Sequence, residues 1–219
     1  MFVDMHCHSV SSDDSRATVE GYLKWIQVLR KRGHTVDAIV LTEHRKFDND
    51  LDYSTLGNQY GVLVMKGSEL DTACGHFLVY GVTRQLQEAI DFANVRMEPL
   101  ELMDAASANG AIAIPAHPGR AGIGLCEFIE QGRSFNGLRI VETHNGGSRR
   151  GENERAQELA RYSGLMGIGG SDAHLVSNIA TCLTRFPNEV SSEQGLVEAI
   201  LQGDFAAVRL GDASSGSQN

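Results

Sequence analysis

The sequence has no Cys-x-x-Cys pair. Its four cysteines, Cys7, Cys74, Cys126 and Cys182, are widely scattered. That argues against a disulfide framework or a structural zinc knuckle, and for reduced thiols in the cytoplasm. No apolar run approaches the roughly 20 residues that a membrane span needs, so no membrane partner is expected. The first residues lack a basic-plus-apolar leader pattern, since Asp4 and His6 fall inside it. Basic runs are equally scarce, the longest being Arg30-Lys31-Arg32. With 19 Lys and Arg against 28 Asp and Glu, the net charge is −9 and the pI about 5.3. No long duplex nucleic acid is therefore expected as a partner, although a short or single-stranded ligand stays open. There is no internal repeat and no linker, and oligomeric state is not legible.

What the chain does have is histidine at telling places. Seven of its eight histidines stand at the ends of apolar runs. The first run, residues 2–6, leads into His6-Cys7-His8. A helix is predicted from Thr18 as N-cap. Val19, Tyr22, Leu23, Ile26 and Leu29 follow at three-to-four spacing, and Gly33 ends it. His34, next to Gly33, reads as a cap-region residue. Residues 38–41 form a continuous apolar run of the kind buried on both faces, closed by Thr42-Glu43-His44. The polar stretch 45–58 has room for a short helix. Further strands are expected at 62–65 before Glu69, at 76–80 opening with His76, and at 111–114 before His117. Two more are expected at 138–141 before Glu142, and at 165–168 before Gly170-Ser171-Asp172-Ala173-His174. Helices are expected within 84–94, 98–109, 152–163 and 192–202, and later strands at 180–186 and 205–210. The tail 211–219 is small and polar and is expected to be disordered. About seven strand–helix alternations in a chain that is 42% hydrophobic favour one α/β domain around a parallel sheet, open or closed into a barrel.

In such a barrel the site lies at the C-terminal ends of the strands, and the ionisable residues fall after the strands. His6, His8, His44, Glu69, His76, His117, Asp172 and His174, with Asp13 or Asp14, would crowd one rim. Without an ion, so many imidazoles and carboxylates out of water are costly. Imidazole with carboxylate suits zinc, iron or manganese better than magnesium or calcium. Nine ligands are too many for one ion, so two or three divalent ions are expected, bridged by a carboxylate. Paired metals can generate a hydroxide from water at neutral pH and clamp a phosphoryl group.

At these residues the chain resembles the PHP (polymerase and histidinol phosphatase) superfamily of metal-dependent phosphoesterases. The motifs are His6-x-His8-Ser with Ser12-Asp13, Thr42-Glu43-His44, Gly67-x-Glu69, Gly75-His76, Ala116-His117-Pro118, Glu142-x-x-Asn145 and Gly170-Ser171-Asp172-Ala173-His174. They come in the family's order and span nearly the whole chain. The resemblance implies a distorted (β/α)7 TIM-like barrel over 1–210 with a trinuclear centre. It implies that His6, His8, Glu69 and Asp172 hold one ion. Asp13, His44 and His174 would hold a second, and Glu69 would bridge to a third with His76 and His117. The chain departs from the family pattern with Glu43 for an aspartate, Asp14 for a glycine and His144 before Asn145.

The expected activity is hydrolysis of a small phosphate ester: a phosphorylated metabolite, a nucleotide or a short oligonucleotide. Asp172, His174 and His117 are the candidate catalytic residues. Arg120, Arg149, Arg150 and His144 are the candidates for holding phosphate. Two alternatives stay open. One is an amide- or lactone-cleaving metallohydrolase, although Glu69 rather than a lysine stands at the bridging position. The other is a metal-binding module without catalysis.

Overall fold

The computed structural model describes residues 1–212, so the expectation of a disordered tail falls, from residue 213 on, outside the described residues. The first strand, Phe2–Cys7 (β1), pairs in parallel with Ala38–His44 (β2), which pairs in parallel with Leu63–Thr72 (β3). The chain then turns back within two residues into Gly75–Tyr80 (β4), antiparallel to β3. Ile112–Pro115 (β5) is antiparallel to β4. On the other side of β1 lie Cys182–Arg185 (β8) and Ala206–Arg209 (β9), both joined antiparallel. These seven form one sheet, ordered β5-β4-β3-β2-β1-β8-β9. Ile140–Asn145 (β6) and Met166–Gly170 (β7) form a separate parallel pair.

The expected all-parallel alternation is therefore replaced by a mixed, curled sheet. The two-residue link at Ala73-Cys74 cannot carry a crossover helix, so β3 and β4 must form a hairpin. The curl still encloses one core. Val3, Met5, Val40, Met65, Leu78, Tyr80, Ile114, Ile140 and Ile168, drawn from all of β1 to β7, pack together. Helix Glu193–Gln202 (α7) plugs this core with Leu196, Val197 and Ile200. The gap between the sheets closes at the far end of β1. There Asp172 N donates to His6 O (2.6 Å) and His8 N to Ala173 O (2.9 Å).

Helix Val19–Lys31 (α1) starts at Thr18, whose hydroxyl accepts from Gly21 N. Its buried stripe packs on the outer face with Cys7, Ile39 and Leu41. Helix Ser54–Tyr60 (α2) occupies the polar stretch. Arg84–Ala89 (α3) and Pro99–Ala108 (α4) fall within the predicted windows, and Glu152–Ser163 (α6) matches 152–163. Helix Leu125–Glu130 (α5) was not predicted, since six residues carry too little periodicity to show.

Asp4 is the buried tie between β1 and the segment that joins β7 to β8. Its Oδ1 accepts from Ser171 N (2.8 Å) and His6 N (3.2 Å), and its Oδ2 from Ala180 N (2.7 Å). Burial pushes its carboxyl up to about 6 against the pull of these donors. Asp4→Asn would set an amide NH2 against a backbone donor. It should cost about 1–3 kcal/mol in urea unfolding, and a loss below about 0.5 kcal/mol, the scale of surface changes, would contradict this role.

Candidate metal centre

The inward positions just beyond the apolar core are the predicted rim residues. Thr42 and His44 follow Val40, Glu69 follows Met65, and Glu142 follows Ile140, each in register with the pleat. Strand β1 needs an extra device. Val3 and Met5 face the core, so strict alternation would turn His6 outward. The register shifts between Asp4 and Cys7. This irregularity lets His6 and His8 point inward while Cys7 packs on the outer face, its thiol on Val40 O.

Glu69, 1% exposed, is the hub. Its Oε2 lies 3.4 Å from His6 Nε2, 3.3 Å from His8 Nε2 and 3.1 Å from His44 Nδ1. Its Oε1 lies 3.1 Å from His76 Nδ1 and 2.9 Å from His117 Nε2. Asp172 Oδ1 completes the first group, 3.4 Å from His6 Nε2 and 3.5 Å from His8 Nε2, while those two nitrogens are 3.0 Å apart. Four donors each 2.0–2.1 Å from a tetrahedral ion would stand about 3.3 Å from one another. The first group has that spacing. Three sets of potential ligands overlap: His6, His8 and Asp172; His8, His44 and His174; Glu69, His76 and His117. The buried Nδ1 of His117 has no hydrogen-bond partner. This donor set could hold two or three divalent ions.

Neighbouring groups hold these side chains in place. Glu142, which sequence reasoning left without a role, is fully buried. Its Oε1 lies 3.0 Å from His6 Nδ1, and its Oε2 accepts from His117 N (2.7 Å) and Asn145 Nδ2 (3.0 Å). A proton on His6 Nδ1 then leaves Nε2 free to bind an ion. Asp71, missed from sequence, stands 3.4 Å from His76 Nε2 and pairs with Arg45 (2.9 Å). Glu43, the longer acid of the Thr-Glu-His motif, turns outward and ties down the loop after β1, accepting from Ser9 N and from the Ser9 and Ser12 hydroxyls. His117 and Asp172 hold left-handed backbone, φ 31° and 52°, a strain typical of functional positions.

The electrostatics point the same way. Burial alone would strip His6 and His8 of their protons. Asp172, Glu142 and Glu69 instead hold His6 well above the usual imidazole range, and Asp172 and Glu69 raise His8 to about 9. Burial would raise Glu69, yet His6, His117 and His44 hold its carboxyl well below the usual range. Asp172 is lowered against burial by His6 and His8.

Other predicted residues divide. Asp14, rather than Asp13, reaches the second set: although its side chain is half exposed, its Oδ2 is 3.2 Å from both His44 Nε2 and His174 Nε2. Arg120 bonds Asp172 Oδ2 (2.6 Å) and Asn145 Oδ1 (3.2 Å), and with Arg149 and His174 it lines a cleft over the cluster. Arg150 lies in the adjoining cleft. His144 does not join the rim. A register shift between Glu142 and His144 turns it towards Thr143 and Gln157, where burial and Arg209 lower its proton affinity.

Comparison with known proteins matches this geometry. A family model described as PHP-associated matches residues 150–205. Over nearly its whole length the chain shares its fold with solved proteins. PsfC from Pseudomonas syringae PB-5123 shares it with a TM-score of 0.67 at 22% identity, over 97% of this chain and 93% of PsfC. A Bifidobacterium adolescentis protein assigned as a metal-dependent phosphoesterase gives 0.54 at 16% identity, over 92% and 96%. The lesion-specific endonuclease Q of Pyrococcus furiosus gives 0.66 at 14% identity, over 94% of this chain and 58% of the endonuclease. This chain thus spans little more than half of that enzyme's length. No curated protein matches the sequence.

One expectation is overturned. An endonuclease Q of this fold (TM-score 0.64, 13% identity, 94% and 57% covered) holds a 27-mer duplex with an abasic lesion at its active site. Excluding long duplex nucleic acid on net charge was therefore wrong. Net charge sums the whole surface, whereas Arg45, Arg120, Arg149 and Arg150 collect near the rim. No described helix is long and apolar enough to cross a membrane.

Two tests follow from this cluster. Glu142→Gln should weaken metal retention by about 10–100-fold, measured by competition with a chromophoric chelator; unchanged retention would contradict the positioning role. In metal-free protein, the raised His8 stabilises the fold below the unfolded value of 6.5, and that contribution is lost as pH rises through about 9. The thermal midpoint of metal-free protein should therefore fall between pH 6.5 and 9, and metal loading should release protons in calorimetry. A midpoint that rises over this range would contradict the assignment.

Proposed function

We propose that residues 1–210 form one catalytic domain that hydrolyses phosphate esters with two or three divalent ions, zinc, manganese or iron. The observation that carries this reading is the sharing of Glu69, one oxygen towards His6, His8 and His44 and the other towards His76 and His117. His6, His8, Glu69 and Asp172 would hold one ion. His44, His174 and Asp14, in place of Asp13, would hold a second, and Glu69, His76 and His117 a third. Bound there, the ions would supply an activated water at neutral pH and positive charge against the phosphoryl oxygens.

The chain's own residues do the rest. Arg120, in the cleft over Asp172, would donate to non-reacting phosphoryl oxygens and fix the ester for in-line attack. His174 is partly exposed on the open side of the cluster; its Nε2 lies 3.2 Å from Asp14 Oδ2 and its Nδ1 3.0 Å from Asp172 O, so the backbone carbonyl would orient the ring with Nε2 towards the second ion. The cleft, lined by Arg120, Arg149, Glu152, Asp172 and His174, has a volume of about 360 Å³, within the range of small-ligand sites. Substrates range from phosphorylated metabolites and nucleotides to nucleic acid, the last supported by the likeness to endonuclease Q. Four unpaired, buried cysteines fit a reducing, cytoplasmic setting.

The test is release of the aryl alcohol from aryl phosphate mono- and diesters by protein loaded with Mn²⁺ or Zn²⁺. Asp172→Asn and His117→Ala should each lower turnover by about 10²–10³-fold, the scale of losing a preorganised charge-stabilising group, with far-UV circular dichroism unchanged. A folded, metal-loaded variant with full activity would overturn the assignment.

A further inference from the structure

Beside the cleft over the cluster lies a second one. It is lined by Arg149, Arg150 and Arg209, with Ser148, Asn153, Glu154 and Thr181. Three guanidiniums against one lining carboxylate is a local reversal in a chain of net charge −9. The carboxylate, Glu154, is already engaged, its Oε2 accepting from Gly151 N (3.0 Å). Asp212 is a further acidic group nearby: it raises the proton affinity of His144, which Arg209 lowers.

The two clefts share parts. Arg149 lines both. Asn145 lines the second, while its side chain bonds Arg120 and Asp172 at the first. Between them runs Gly146-Gly147. A Cβ at Gly147 would stand 3.0 Å from Asp172 Oδ2 and 3.3 Å from Arg120 Nη2, and one at Gly146 would overlap Thr181 Oγ1 at 2.1 Å. Thr181 of the second cleft and Asp172 and Arg120 of the first thus pack directly against the two glycines, which keeps the divide between the clefts thin.

We propose that the second cleft binds a second phosphate of the same substrate, with Arg150 and Arg209 as its ligands and Arg149 spanning the two sites. This rests on the phosphoesterase reading and narrows it to substrates carrying two phosphates a short distance apart. Such substrates are a small bisphosphate or a nucleic-acid strand, which present the same chemistry to the cleft. Guanidinium groups recognise phosphate through paired, charge-assisted hydrogen bonds.

The test compares non-hydrolysable probes on metal-loaded protein by calorimetry: propylphosphonate, the bisphosphonates of propane, butane and pentane, and a 5′-phosphorylated tetrathymidylate with phosphorothioate links. The wild type should bind at least one doubly charged probe about tenfold more tightly than propylphosphonate, and Arg150→Ala/Arg209→Ala should abolish that advantage. Loss on a bisphosphonate would identify a small bisphosphate as the substrate type, and loss only on the tetrathymidylate would identify a strand. No advantage in the wild type, or an advantage kept by the double variant, would overturn the proposal. Absence of aryl alcohol release, with the binding advantage intact, would instead remove the hydrolase reading and leave the second anion site standing.

Discussion

The structure turns on one carboxylate. Glu69 is buried at the centre of five imidazoles, each of which has a nitrogen within 3.4 Å of one of its oxygens. A carboxylate out of water with so many donors is stable only when positive charge surrounds it. Protons on His6 and His8 can supply that charge, and so can metal ions. The raised proton affinity of those two imidazoles has the same cause, the buried carboxylates around them. Metals satisfy the demand with fewer particles and fix the distances.

The fold meets this demand by letting seven strands share one interior. Below, their inward residues are Val, Ile, Leu and Met, closed by α7. One or two pleats further on, the same faces carry His and Glu. Two irregularities tune the pattern. The shift in β1 turns both His6 and His8 inward. The shift in β6 turns His144 away while Glu142 and Asn145 stay. Asp4 and Asp172 then lock β1 to the segment that follows β7, so the ligands from opposite ends of the chain keep one geometry. The strained backbone at His117 and Asp172 is held by this over-determination.

Much of this was legible in the residues. Apolar runs mark most of the strands, and the polar letters after them mark the rim, because the pleat carries each inward face from core to site. The predicted ligand types reappear around Glu69 for that reason, and His76 opens its strand as expected. What was not legible depends on backbone detail. A two-residue link makes β3 and β4 a hairpin where alternation implied a crossover. The bulge in β6 reverses the face of His144. Asp13 and Asp14 are equivalent as letters, and only the loop's path selects Asp14. Glu142 stands in a rim motif, but its hold on His6 and His117 shows only in the fold, and Asp71 reads as an ordinary strand acid until His76 is seen beside it. Net charge misled about duplex nucleic acid because it has no address on the surface.

The central claim is that Glu69 joins separate ion sites into one centre. The direct measurement is elemental analysis of wild-type protein and of Glu69→Gln, each purified without chelator and reconstituted identically. The account predicts two or three equivalents of transition metal in the wild type. It predicts that the single substitution removes more than one of them, because both oxygens serve different ions. A wild type without bound metal, or a Glu69→Gln variant retaining the full complement, would contradict it.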